Sequence, residues 1–198
     1  MSDVEKRKTK AGKASATGGT KRAKVSAASK AAPDKAGSTT KASGSDTPAT
    51  KVLGRAGIAY ALHACPPEAD ADRVAAAEDY GIPARRLFET LVVKVEDENL
   101  IAVVPARSIM SLSAVAAAVG ARSADYTDAD EVERITGYAA DSVSPLGSKT
   151  PLGLLLDTSA MEQPTILVPA GRQGLLLELI PDQLINLLRA RTAPLCVS

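Results

Sequence analysis

Tryptophan is absent, phenylalanine occurs once and tyrosine four times among 198 residues, so any core this chain builds must be aliphatic. Histidine occurs once, at His63, which excludes most histidine-based metal centres and leaves a Ser/His/Asp triad little room. The two cysteines, Cys65 and Cys196, have no metal-ligand spacing and make no disulfide framework. No apolar run approaches the ~20 residues that a membrane span needs, and the N-terminus is polar, with no visible signal peptide. These absences lead to the expectation of a protein of the reducing cytoplasm, with no metal or other cofactor and no membrane partner.

What is present is unevenly distributed. The net charge of +1 averages two unlike parts: residues 1–45 carry 11 Lys and Arg against 3 Asp and Glu, and residues 46–198 carry 13 against 20. The first segment is therefore +8 and the second −7. Residues 1–45 are Lys, Ala, Ser, Thr and Gly with almost no large apolar side chain, which predicts a disordered tail. Its Lys6–Arg7–Lys8 and Lys21–Arg22 clusters suit salt-dependent, sequence-independent contact with RNA phosphates. No aromatic residues accompany them for base stacking, so a purely solubilising tail is the other reading. Residues 46–198 are expected to form one domain, large enough to bury a real core.

Within that domain, short strands and short helices are expected to be mixed. Asp46 or Thr47 caps a helix with Pro48 in its first turn and Ala49, Val52, Leu53 and Ala56 on one face, ended by Gly57. Ile58–Ala64 alternates as a half-buried strand, broken by Pro66–Pro67. Asp70 or Asp72 opens a helix with Val74, Ala75 and Tyr80 that stops at Gly81, and Arg85–Arg86 fit a short helical turn. Leu87–Val95 and Leu100–Pro105 read as a hairpin about the acidic turn Glu96–Asn99. Ser111 or Ser113 caps a small-residue helix ending at Gly120, Ala121–Tyr126 is a short strand, and Asp128 with Glu131 three residues on forms a capping-box pattern. Strands at Leu152–Asp157, Thr165–Ala170 and Leu175–Ile180, the last two joined by a turn at Gly171–Gly174, precede a helix from Pro181 with Leu184, Ile185, Leu187 and Leu188 inward. The expected fold is α/β: a single compact domain with a mixed, barrel-like β-sheet flanked by short helices.

The stretch Thr136–Lys149, TGYAADSVSPLGSK, has the residues of a shaped loop. Gly137 and Gly147 take positive φ freely, Pro145 fixes φ, and Tyr138 combines an aromatic face with a polar tip. Thr136, Ser142, Ser144 and Lys149 add donors.

At TPATKVLGRAGIAYALH, LFETLVV, TGYAADSVSPLG and AGRQGLLLEL the chain resembles the YbaK/EbsC family of aminoacyl-tRNA deacylases, relatives of the prolyl-tRNA synthetase editing domain. TGY followed by SPLG is the most specific part, and the resemblance runs from about Thr47 to Arg191. It implies a compact α/β domain that edits in trans, most simply removing Cys from tRNA(Pro). Its substrate would be the aminoacylated 3′ end of tRNA, and prolyl-tRNA synthetase a partner. The family is similar to a substrate-assisted catalyst: the cysteinyl thiol or the terminal 2′-OH attacks the ester, and the protein supplies position and oxyanion stabilisation.

The chain departs from the family pattern at chemical positions. Glu89 stands for the lysine of FKTL, Asp141 for the glycine of GxxxP, Pro169 for a serine, Leu176 for an acidic residue and Cys65 for a frequent tyrosine. Thr136, Gly137, Tyr138, Ser144, Pro145, Leu146, Gly147, Lys149, Gly171, Gly174 and Glu178 are kept. Substrate contacts are thus expected at Thr136–Tyr138, Asp141, Ser144–Gly147, Gly171 and Gly174. The catalytic position is Glu89, with Lys149 as the replacement cation. Lys94 is the weaker candidate, because five residues along a strand from Glu89 it faces the other side. The alternative activity is a catalytically silent deacylase fold that binds RNA or protein.

Overall fold

Thr47 opens the first helix. Its hydroxyl accepts the Thr50 amide at 3.3 Å while the Thr50 hydroxyl accepts the Thr47 amide at 2.9 Å, and Pro48 occupies the first turn, where no intrahelical N–H is needed. The structure, a computed structural model, describes residues 46–65 and 73–197. The 1–45 tail, the Pro66–Pro67 break and the expected caps Asp70 and Asp72 lie outside the described residues.

In chain order the elements are α1 (Pro48–Ala56), β1 (Ala61–Ala64), α2 (Arg73–Asp79), a 3-10 turn at Ala84–Arg86, β2 (Phe88–Val95), β3 (Glu98–Pro105), α3 (Leu112–Val119), β4 (Ala124–Tyr126), α4 (Ala129–Thr136), β5 (Gly153–Asp157), a 3-10 turn at Thr158–Glu162, β6 (Ile166–Pro169), β7 (Leu175–Leu179), α5 (Pro181–Leu188) and β8 (Arg191–Ala193). The expected mixed sheet is made of two parts. A five-stranded sheet runs β4-β2-β3-β5-β8, antiparallel on the β4-β2-β3 side and parallel through β5 and β8, and a three-stranded antiparallel sheet runs β1-β7-β6. A parallel bridge between Leu87 and Leu167 links the two.

Most boundaries follow the caps read from the sequence. Ser111 accepts the Ala114 amide to start α3, and Asp128 accepts the Glu131 amide to start α4. The Glu131 carboxylate turns to Arg134 instead of completing a capping box. The start of β1 needs correction. β1 begins at Ala61 rather than Ile58, because the Ile58 amide is spent on the Leu53 carbonyl as α1 closes. In α5 the four expected residues point inward: Leu184 is fully buried, and Ile185, Leu187 and Leu188 are half-buried against the core. In α2 Val74, Ala76 and Ala77 are buried and Ala75 is exposed, and Tyr80, just past the helix end, is exposed as well. β8 was too short, at three residues, to leave a periodic signal.

The aliphatic core is divided by the sheets. Phe88, Val92, Ile101, Val103, Leu154 and Leu156 face one side with α1, α4 and the inner face of the small sheet. Val93, Val95, Leu100, Ala102 and Val104 face the other with α3. A third cluster packs α2 against the outer face of the small sheet through Leu87, Leu167 and Leu176. That outer face positions the candidate site.

The long loop after α4 is fastened to the start of α1. Gly147 has φ 77, and a Cβ placed on it would fall 2.6 Å from the Pro48 carbonyl carbon. Gly57 has φ 66 with nothing within 4 Å of such a Cβ. Gly57→Ala is therefore expected to lose about 1–2 kcal/mol from the left-handed backbone alone. Gly147→Ala should lose about 1–3 kcal/mol more, because backbone rather than a flexible side chain must move. Urea unfolding midpoints compare the two; equal losses would show that the loop is not held against α1.

Candidate functional site

Thr136, the last residue of α4, donates through Oγ1 to the Val132 carbonyl at 2.7 Å and accepts the Tyr138 amide at 3.1 Å. This double use of one hydroxyl turns the chain sharply at Gly137 and drives Tyr138 inward. Tyr138 is 3 % exposed; its hydroxyl donates to the Leu146 carbonyl at 2.7 Å. A Cβ on Gly171 would overlap its ring, so the β6–β7 turn packs directly on the tyrosine. Ser144, Pro145 and Leu146 are buried beneath it, and Ser144 Oγ accepts the Leu146 amide at 3.4 Å. These kept residues shape the loop and face the core rather than an open pocket.

The open space lies beside them. Directly paired residues of an antiparallel sheet share a face, which places His63, Leu176 and Pro169 in one row across β1, β7 and β6. Leu176 and Pro169 form the floor of a pocket of about 60 Å³, with Cys65 and Leu175 beside them and Ala76 of α2 as a wall. Its rim comes from two segments: Asp141 and Ser142 of the loop after α4, and Arg172, Gln173 and Gly174 of the β6–β7 turn. The Cys65 amide donates to the Gly174 carbonyl at 2.9 Å, which ties the end of β1 to the β6–β7 turn. Four of the five positions at which the chain departs from the family pattern, Cys65, Asp141, Pro169 and Leu176, line this one pocket.

The fifth is Glu89. It lies on β2, two residues after Leu87, whose isolated bridge to Leu167 joins the two sheets. Its side chain is half-buried and does not belong to the pocket lining.

Comparison with known proteins agrees with this geometry. Residues 66–187 match the model of the aminoacyl-tRNA editing domain. The chain belongs to the aminoacyl-tRNA editing domain family. Over 118 residues, 59 % of this chain and 72 % of the relative, it is 31 % identical to EbsC of Enterococcus faecalis (strain ATCC 700802 / V583), a candidate Cys-tRNA(Pro)/Cys-tRNA(Cys) deacylase. Its fold is similar to the crystal structure of a candidate trans-editing enzyme for prolyl tRNA synthetase, with a TM-score of 0.70 at 23 % identity, covering 79 % of this chain and 99 % of that one. A hypothetical protein of known structure is similar at TM-score 0.69 and 20 % identity, over 76 % of this chain and 100 % of its own.

The editing domain's cations are not where the sequence led us to expect them. The Lys149 stem lies across Gly137, where a Cβ would meet its Cε at 2.7 Å, and its amide donates to the Thr136 carbonyl at 3.0 Å. It therefore sits over the C-terminus of α4, whose negative end favours a cation, and not in the pocket. Lys94 lines a separate groove with Asn99, Tyr126 and Glu131, on the face of β2 opposite Glu89 as expected. Among the described residues the cation that lines the pocket is Arg172, and no ion pair among them engages it. Sequence reasoning placed it in a turn only; its neighbours Gly171 and Gly174, both kept, were the available signal.

No activated nucleophile borders the pocket. Burial pushes the Cys65 thiol up, away from the thiolate that would attack. Ser142 Oγ bonds the Ala139 carbonyl at 3.4 Å. His63 Nε2 is 2.6 Å from Glu178 Oε2, and Glu178 also pairs with Arg86 and accepts Thr165 Oγ1 at 2.6 Å. Burial alone would raise the Glu178 carboxyl, but hydrogen bonds from Thr165 and His63 and the charge of Arg86 outweigh it and hold it below the ordinary carboxylate value. His63 is thus a strand residue partnered by Glu178. Among the described residues no group of three His, Cys, Asp or Glu is placed to hold a metal, and no helix is long and apolar enough to cross a membrane.

Tyr138 gives a prediction with a pH signature. Burial pushes its hydroxyl up to about 12, with a backbone hydrogen bond from Ala49 acting weakly the other way. A folded value above the ordinary one means that its contribution is complete below the unfolded value of ~10 and is lost as pH rises through the folded value. Tyr138→Phe strands the Leu146 carbonyl and should cost about 1–3 kcal/mol at neutral pH. Melting curves from neutral pH into this alkaline range are expected to show the wild-type advantage shrinking; an advantage that stays constant would contradict a buried, hydrogen-bonded phenol.

Proposed function

We propose that this editing domain cleaves the ester between tRNA and a mistakenly attached amino acid in trans, with the pocket between Asp141 and Arg172 receiving the aminoacyl group. The observation that carries this reading is the convergence of the chain's departures from the family pattern on one pocket. Substitutions scattered by loss of function would have no reason to collect there, whereas a changed amino acid specificity would.

Several features support a mechanism in which the protein contributes position and charge. A pocket of about 60 Å³ holds only a few water-sized groups, which fits a small side chain such as that of cysteine, alanine or serine. The floor of Leu176 and Pro169 is apolar. Among the described residues the amides of Gln173 and Gly174 donate to no other backbone group, so successive N–H groups at the rim are available to a developing oxyanion. With no activated nucleophile in the wall, the attacking group comes from the substrate: the cysteinyl thiol or the terminal 2′-OH. Arg172 replaces the family lysine as the cation facing a phosphate or the ester oxygen. Thr136, Gly137, Tyr138, Ser144, Pro145, Leu146, Gly147 and Gly171 act by holding the rim in shape.

The test is release of amino acid from Cys-, Ala- and Ser-tRNA(Pro) by the full chain. At least one is expected to be cleaved well above the spontaneous rate, and Arg172→Ala should lower kcat/KM about tenfold or more. Lys94→Ala and Lys149→Ala should stay near wild type. Absence of release from a wider panel of mischarged tRNAs would overturn the proposal in favour of a silent binding module.

A further inference from the structure

The polar and apolar parts of the pocket lining are separated by depth. Among the described lining residues, those with hydrogen-bonding side chains other than Cys65 are Asp141, Ser142, Arg172 and Gln173, all on the two rim segments. Asp141, Arg172 and Gln173 are exposed, and the Ser142 hydroxyl is turned to the Ala139 carbonyl at 3.4 Å. The inner lining is Pro169, Leu175, Leu176, Ala76 and Cys65, all buried. Cys65, Ala76 and Leu176 belong to the apolar cluster between α2 and the small sheet. The one side-chain heteroatom of this inner lining is the Cys65 sulfur, a weak donor and a weak acceptor. Positions 65, 169 and 176 all carry hydrogen-bonding side chains in the family pattern, so these three departures remove polarity from one place.

A hydroxyl taken into such a space leaves water without gaining a partner, which costs free energy, whereas a methyl, ethyl or thiol-bearing side chain gains by burial. Water cannot make good the loss, because a buried water needs polar partners of its own and the volume is only about 60 Å³. We infer that Leu176, Pro169 and Cys65 are specificity-determining residues that select an apolar or thiol side chain and reject a hydroxyl, so that small apolar and cysteinyl esters are cleaved and seryl esters are spared. This rests on the deacylase reading above and narrows its substrate class. Serine is smaller than cysteine, so a pocket that admits cysteine and refuses serine selects by polarity and not by size.

The experiment measures release from cysteinyl-, seryl- and 2-aminobutyryl-tRNA(Pro) by the full chain under single-turnover conditions, each relative to the same ester without protein. The 2-aminobutyryl side chain has a methyl group where cysteine has its thiol, which separates the polarity of the floor from any reaction of the thiol itself. Wild type is expected to cleave the cysteinyl and 2-aminobutyryl esters about tenfold to a hundredfold faster than the seryl ester. Pro169→Ser and Leu176→Asn each place a hydrogen-bonding group at the floor and should raise seryl over 2-aminobutyryl cleavage about tenfold. Leu176 also packs in the cluster with α2, so Pro169→Ser carries the test where Leu176→Asn fails to fold. Leu176→Met, which keeps the floor apolar, should retain the wild-type preference. A seryl ester cleaved by wild type as fast as the other two would overturn the inference and leave the deacylase reading standing. So would cleavage of the cysteinyl ester alone, which would assign the selectivity to the thiol's own chemistry, and so would a preference unchanged in Pro169→Ser. No cleavage of any ester would overturn the deacylase reading itself.

Discussion

The burial of Tyr138 is the constraint on which the rest of this molecule depends. A phenol with 3 % exposure must find a partner for its hydroxyl, and the partner it finds, the Leu146 carbonyl, is eight residues away in the same loop. That bond closes the loop on itself. The ring then acts as a platform for Gly171, and Gly147 presses on the first turn of α1. Three segments distant in sequence are thereby fixed around one side chain: the start of α1, the loop after α4 and the β6–β7 turn. The last two supply the rim of the pocket. Loosening Tyr138 would move Asp141 and Arg172 relative to each other without touching either.

This arrangement separates shape from chemistry. The residues that hold the rim are buried and answer to packing, where small changes of volume are costly. Cys65, Asp141, Pro169 and Leu176 are where this chain differs from the family pattern, and all four line the pocket. The polar network of His63, Glu178, Arg86 and Thr165 stands on the same outer face of the small sheet, with His63 in the row of Leu176 and Pro169.

How much of this was legible in the sequence depended on how local the cause was. Caps such as Thr47, Ser111 and Asp128, and stops such as Gly57 and Gly120, act within four residues and stand where the chain indicates. The β2–β3 hairpin was readable because alternation and an acidic turn agree over its whole length. The start of β1 was not, since alternation continues back to Ile58 while the Ile58 amide is already committed to α1. The division into two sheets depends on pairings between β1 and β7 and between β3 and β5, for which no local pattern exists. The site followed the same rule. Its loop was legible as a loop, but which cation lines the pocket depends on tertiary packing, since the Lys149 stem lies across Gly137 while Arg172 stands in the β6–β7 turn at the rim.

The position of Lys149 also shows why charge at a site cannot be assigned by counting along the chain. A lysine just past a helix end has a favourable place to go at once, over the carbonyls that the helix leaves open. Lys149 takes that place, and its stem covers Gly137. Arg172 has no such alternative: it projects from a tight turn whose ends are held by Tyr138 on one side and by the Cys65 amide on the other. The cation at the pocket is therefore the one whose own backbone is fixed by the rim. In a site with no nucleophile of its own, rate depends on how firmly the ester and its neighbouring charges are placed. A guanidinium anchored in the rim meets that requirement, and an ammonium engaged at a helix end does not.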